Sequence, residues 1–137
     1  MSKTITLLSL DVGEKRIGIA QVDTGTKIAF PVGTIEVDGL ELERLRQIIA
    51  EVEPSKLVVG FPRNQSGEAT EQSRAVQKFA QSLRIFHTPV VYQDESLTSV
   101  VAEERLKRHG KPYEKADIDS EAARIILQDY VEEHYGH

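Results

Sequence analysis

Cysteine is absent from all 137 residues. That excludes disulfides, thiolate catalysis and cysteine-ligated zinc, and it fits a cytoplasmic protein. Long apolar runs are also absent. None approaches the roughly 18 residues that a membrane-spanning helix needs, so no membrane partner is expected. No secretory pattern precedes the first strand-like segment. Positive charge is in deficit, with 17 Lys and Arg against 22 Asp and Glu and a net charge of −5. As a total, that balance argues against nucleic acid. Its distribution weakens the argument. Residues 36–53 carry six acids and two bases, and residues 114–137 carry seven and two. Residues 103–111 instead gather Arg105, Lys107, Arg108, His109 and Lys111 against Glu103 and Glu104. Residues 63–84 hold Arg63, Arg74, Lys78 and Arg84 against Glu68 and Glu71. The pattern suits either ordinary solvated helix faces or a one-sided basic rim around an acidic centre.

What the chain does have is enough apolar residue, 39%, to bury a core, in a length typical of one domain, 1–137. Its most informative stretch runs Leu7-Leu8-Ser9-Leu10-Asp11-Val12-Gly13-Glu14-Lys15-Arg16-Ile17-Gly18-Ile19-Ala20. An apolar strand ends in a carboxylate, a glycine turn follows, and a second apolar strand begins. Gly13 is where a backbone would come close to a phosphate or a metal. Glu95 and Asp119 likewise flank apolar runs. Three carboxylates at the ends of separate core elements suggest a divalent-cation site.

Periodicity gives the element order βββαβαβαα. Thr4–Leu10, Ile17–Val22 and Lys27–Ile35 read as a meander. Leu57–Gly60 and Val90–Tyr92 read as short strands within α/β units, which would extend the sheet in parallel. Helices are expected after Asp38-Gly39, after Gly67, over Thr98–His109 and from near Asp119. Gly110–Lys115 reads as a mobile loop. The expected class is therefore α/β, a five-stranded mixed sheet flanked by helices. Asp11 would lie at the carboxyl edge, where open α/β sheets bind ligands.

Four segments carry a resemblance. They are Leu10-Asp11-Val12-Gly13-Glu14-Lys15-Arg16-Ile17-Gly18-Ile19-Ala20, Val58-Val59-Gly60-Phe61-Pro62-Arg63-Asn64-Gln65-Ser66-Gly67, Asp94-Glu95-Ser96-Leu97-Thr98-Ser99, and Asp119-Ser120-Glu121-Ala122-Ala123-Arg124-Ile125-Ile126-Leu127-Gln128. In this order they resemble the YqgF/RuvX family, Holliday-junction-resolvase-like or pre-16S rRNA nucleases of RNase H-like fold. The chain departs from the family pattern at Phe61 and Ser96, where leucine and arginine are more usual. The resemblance implies that Asp11, Glu95 and Asp119 are both catalytic and metal-binding. It implies two divalent cations, Mg2+ or Mn2+, acting on a phosphodiester of precursor rRNA or branched DNA. The implied role is 5′-end processing of pre-16S rRNA in ribosome biogenesis, with junction resolution as the alternative. No organic cofactor is expected, and the chain is expected to be a monomer or weak homodimer.

Each assignment has a rival. Asp94 could replace Glu95, and Asp117 could replace Asp119, which could itself be a helix cap. Lys15 and Arg16 could clamp a phosphate or decorate a solvated turn. Arg63 and Asn64 lie between a strand and a helix N-terminus, where phosphate could bind. Arg105 and Arg108 would belong to the basic rim. Two other classes compete: an actin-like ATP-binding protein, which would need a second phosphate loop that is not seen, and a nucleic-acid-binding protein of the same fold without activity.

Overall fold

The computed structural model describes residues 4–62, 70–95 and 98–136, the side chains of Thr98 and Ser99 excepted. Strands β1 (Thr6–Val12), β2 (Arg16–Asp23) and β3 (Phe30–Glu36) form an antiparallel meander. Strands β4 (Lys56–Phe61) and β5 (Val90–Asp94) continue the sheet in parallel on the other side of β1, giving the order β3-β2-β1-β4-β5. The central position of β1 explains its sequence. Leu7, Leu8, Ser9 and Leu10 have no solvent exposure, because both faces of the strand are covered. The ends of β1, β4 and β5 therefore share one edge.

The pleat sorts the core into two layers. Leu8, Leu10, Ile17, Ile19, Leu57 and Val59 pack on one face with Leu45 of α1 (Glu41–Val52) and Val76 of α2 (Glu71–Ser82). Leu83 joins them from a short 3-10 turn, Leu83–Phe86. Leu7, Ala20, Val22 and Val58 pack on the other face with Ala123, Ile126, Leu127, Tyr130 and Val131 of α4 (Lys115–Tyr135). Helix α3 (Thr98–His109) packs on α4. The one polar side chain within the buried run of β1, Ser9, is satisfied by donating to the Ala123 carbonyl at 2.7 Å.

Several boundaries differ from the sequence expectation; β1 runs from Thr6 to Val12, not Thr4 to Leu10, so Asp11 lies within it. Strand β3 begins at Phe30, not Lys27. Lys27 is left-handed, with φ 60°, and its carbonyl accepts from Gln128 Nε2 at 2.9 Å. The Ala29 N–H donates to Gln128 Oε1 at 2.9 Å. A side chain from α4 thus takes the backbone groups that a ladder would have used. Helix α4 starts at Lys115, a turn before Asp119. Glu114 and Asp117 form a reciprocal cap, with the Glu114 N–H donating to the Asp117 carboxylate at 2.8 Å. The connection before it is tied down where the Tyr113 hydroxyl donates to Glu103 at 3.0 Å.

Candidate active site

Asp11 continues the side of β1 that faces α4, beyond Leu7 and Ser9. The register sets Gly18 of β2 opposite it. On its other flank, Val59 of β4 pairs with Leu10, so Gly60 comes next. Both neighbours on this face lack a side chain, and the space is used. A Cβ on Gly18 would overlap the Asp119 carbonyl, and one on Gly60 would overlap the Glu95 carboxylate and lie 2.6 Å from Ile126 Cδ1. The two glycines admit α4 with Asp119 on one side and Glu95 on the other. Gly13, which the sequence reading named as a place where a backbone would come close to a phosphate or a metal, closes the turn between β1 and β2, its N–H donating to the Arg16 carbonyl at 3.0 Å. Glycine inside a strand, the signal that could have found Gly18 and Gly60, was present in the sequence.

Glu95 follows β5 directly, and its N–H extends the parallel ladder to the Phe61 carbonyl at 3.0 Å. Its carboxyl faces that of Asp11 at hydrogen-bonding range. Burial pushes the pKa of Glu95 well above the usual carboxylate range, and the adjacent Asp11 charge adds to this. Burial also raises Asp11. The hydrogen bond from Glu95 opposes that rise, and the Asp119 charge adds to it. The two adjacent carboxyls therefore hold a shared proton more readily than isolated acids would. Glu95 Oε2 is buried with no hydrogen-bond partner. A buried, unpartnered carboxyl oxygen costs free energy unless something else answers it.

Asp119 stands beside this pair, but its side chain is held by Arg16, the first residue of β2. Arg16 Nε lies 2.7 Å from Asp119 Oδ2, and the two side chains are 24% and 26% exposed. Among the described residues, no three Asp, Glu, His or Cys side chains stand close enough together to hold one ion as they are arranged. The donor set nevertheless suits a hard divalent cation: it is all carboxylate oxygen, one oxygen is buried without a partner, and the charge of the third acid is felt by Asp11. We take the residues to fit such an ion.

The rival acids are placed elsewhere. Asp94 belongs to the opposite side of β5 by strand alternation. Asp117 is engaged in the cap of α4. Lys15 is exposed in the turn before Arg16. Arg105 and Arg108 are exposed on α3, with the Arg105 charge felt by Asp129 on α4. Arg63 and Asn64 lie outside the described residues.

A five-stranded mixed sheet of order β3-β2-β1-β4-β5 flanked by helices is the RNase H-like fold of the junction resolvases. Thermus thermophilus RuvC in complex with a Holliday junction superposes with a TM-score of 0.58, at 14% identity, over 96% of each chain. The fowlpox virus resolvase in its Holliday junction DNA complex gives a TM-score of 0.57 at 12% identity, over 94% of this chain and 98% of that one. The chain belongs to the RuvX family, described as Holliday junction resolvase, whose sequence profile matches residues 5–133. A Synechocystis relative named "Putative pre-16S rRNA nuclease" is 40% identical over 96% of this chain and 90% of its own. A Chloroflexus aggregans relative of the same name is 42% identical over 93% of each.

Proposed function

We propose that this chain is a divalent-metal-dependent endonuclease that hydrolyses a phosphodiester in structured nucleic acid, with the precursor of 16S rRNA as its substrate. The observation that carries the reading is the half-buried Asp11–Glu95 pair, with its buried, unpartnered Oε2, at the carboxyl edge of the sheet next to Asp119. Asp11, Glu95 and Asp119 would hold Mg2+ or Mn2+ in a two-ion site. Such ions, when bound, activate water and neutralise charge building on the phosphate. The chain's own residues do the rest. Asp11 and Glu95 would hold the ion as carboxylates, and the proton they share without it would pass to solvent. Lys15 and Arg16, at the mouth of the site, bind and orient the phosphate. Arg105 and Arg108 on α3 extend the contact along the nucleic-acid strand, and the sequence motif adds Arg63 and Asn64 as further nucleic-acid-binding residues. The protein would work in the cytoplasm as a monomer or weak homodimer. Junction resolution is the second reading, favoured by the family's description.

Incubating the protein with labelled precursor rRNA and with a four-way DNA junction, each in Mg2+, Mn2+ or EDTA, separates these readings. We expect discrete cleavage of the rRNA precursor with metal and none in EDTA. Junction cleavage alone would favour the second reading. Binding without cleavage of either would leave only a nucleic-acid-binding role.

The basic rim makes a separate expectation. Arg44 and Arg46 belong to the layer on the other side of the sheet, where Arg44 is clamped to Asp38 at 2.6 Å. Substituting Arg105→Ala/Arg108→Ala should flatten the plot of log affinity against log salt by about one to two units, since each lost phosphate contact removes nearly one. Arg44→Ala/Arg46→Ala should leave the slope unchanged. Titration of an RNA at several salt concentrations measures both. Equal slopes in the two variants would move the binding surface away from α3.

A further inference from the structure

We propose that Arg16 is an exchange residue that makes phosphate and divalent cation bind cooperatively: it neutralises Asp119 until a substrate phosphate takes its guanidinium. This rests on the reading above, in which Asp119 is a cation ligand. The Nε–Oδ2 contact of 2.7 Å joins side chains that are about three-quarters buried, so water screens the pair less than it would at a fully exposed site. A positive guanidinium on Oδ2 lies next to any ion held by the same carboxylate. Each cation therefore weakens the other's hold.

Three features make the exchange easy. The Asp119 backbone is fixed, because its carbonyl packs on Gly18 with no room for even a Cβ between them. Only the Asp119 side chain has to turn. Arg16 opens β2, immediately after the exposed turn of Gly13, Glu14 and Lys15, so its guanidinium sits at the rim of the site. The guanidinium carries five N–H donors, and its contact with Asp119 through Nε uses one, so a phosphate can engage the fork as Asp119 is released. Arginine, unlike lysine, matches the paired oxygens of a phosphate. Substrate thus removes the competitor of the ion, and the ion, by linkage, favours the phosphate-bound position of Arg16.

The test reads binding rather than turnover. Free Mn2+ is followed by electron paramagnetic resonance as it is titrated into the protein, with and without a saturating phosphorothioate oligonucleotide. In the wild type, the oligonucleotide should tighten Mn2+ binding by roughly tenfold, within the usual range of coupling between sites. In Arg16→Gln, Mn2+ alone should bind several-fold more tightly than in the wild type, and the oligonucleotide should add less than about twofold. Arg16→Lys, which keeps the charge without the fork, should fall between them, and a cooperative thermal melt of each variant checks that it is folded. If Asp119→Asn weakens Mn2+ binding but Arg16→Gln leaves it unchanged or weaker, the exchange is overturned and the carboxylate site stands. If Asp119→Asn has no effect on Mn2+, the carboxylate site itself falls, and the exchange with it.

Discussion

Asp11→Asn should abolish cleavage and at the same time raise the melting temperature of the ion-free protein at neutral pH. The substitution keeps the shape of the side chain and removes the charge that a cation needs. Losing several kcal/mol of transition-state stabilisation corresponds to about a thousandfold or more in rate. The stability effect has the opposite sign. Asp11 and Glu95 are half-buried side by side and both have raised pKa values, mainly through loss of solvent. A carboxyl whose folded pKa is raised contributes stability that is fully present below its unfolded pKa, about 4, and is lost as pH rises through the folded value. The wild type without metal should therefore melt progressively lower from pH 5 to pH 8. The amide that replaces the Asp11 carboxyl cannot ionise, so the variant should show a shallower decline and melt a few degrees higher at pH 8. Adding Mg2+ should stabilise the wild type and leave the variant unchanged. A variant that melts below the wild type at both pH values without metal would show that the pair is not under electrostatic strain.

The second large effect is expected at the two glycines, which should fail in different ways. In Gly18→Ala the new methyl meets the Asp119 carbonyl and, at 3.0 Å, the Ser120 nitrogen. Both are backbone, so α4 itself has to move. That displaces Asp119 and strains the Ser9–Ala123 bond, at a cost of about 1–3 kcal/mol or more. In Gly60→Ala the obstacles are the ends of side chains, Glu95 Oε2 and Ile126 Cδ1. These can rotate, but Glu95 cannot do so and remain against Asp11. Thermal melts and cleavage assays should show a large loss of stability in Gly18→Ala. Gly60→Ala should instead show a smaller loss of stability with near-complete loss of activity. Full activity in Gly60→Ala would mean that Glu95 is not needed where it lies.

The sheet was legible from the sequence because its central strand is apolar on both faces and because the α/β units repeat a simple pattern. Asp11 stood out for the same reason, as a charge ending a strand with no other polar group but Ser9 in its buried run. Most of the less legible features depend on residues distant in sequence. Nothing local to Lys27 announces that Gln128 will take its carbonyl. The start of α4 was hidden because Glu114 and Asp117 cap it without the usual serine, threonine or asparagine. The partner of Arg16 lies 103 residues away, and no spacing rule could have named it. The roles of Gly18 and Gly60 became clear only once the register set them on both sides of Asp11.

The same long separations bear on how the chain reaches this structure. The bonds Ser9–Ala123, Arg16–Asp119 and Ala29–Gln128 span 114, 103 and 99 residues. Each joins an early segment, a strand or the residue just before one, to the helix that comes last in the fold. The first three strands can pair with one another as soon as they are made, yet the face bearing Leu7, Ala20 and Val22 has nothing to pack against until residues 115–135 have been synthesised. Closing so large a loop before its contacts reward it slows folding. An apolar sheet face therefore stays uncovered throughout most of translation, and the last helix to appear both buries it and brings Asp119 to Asp11.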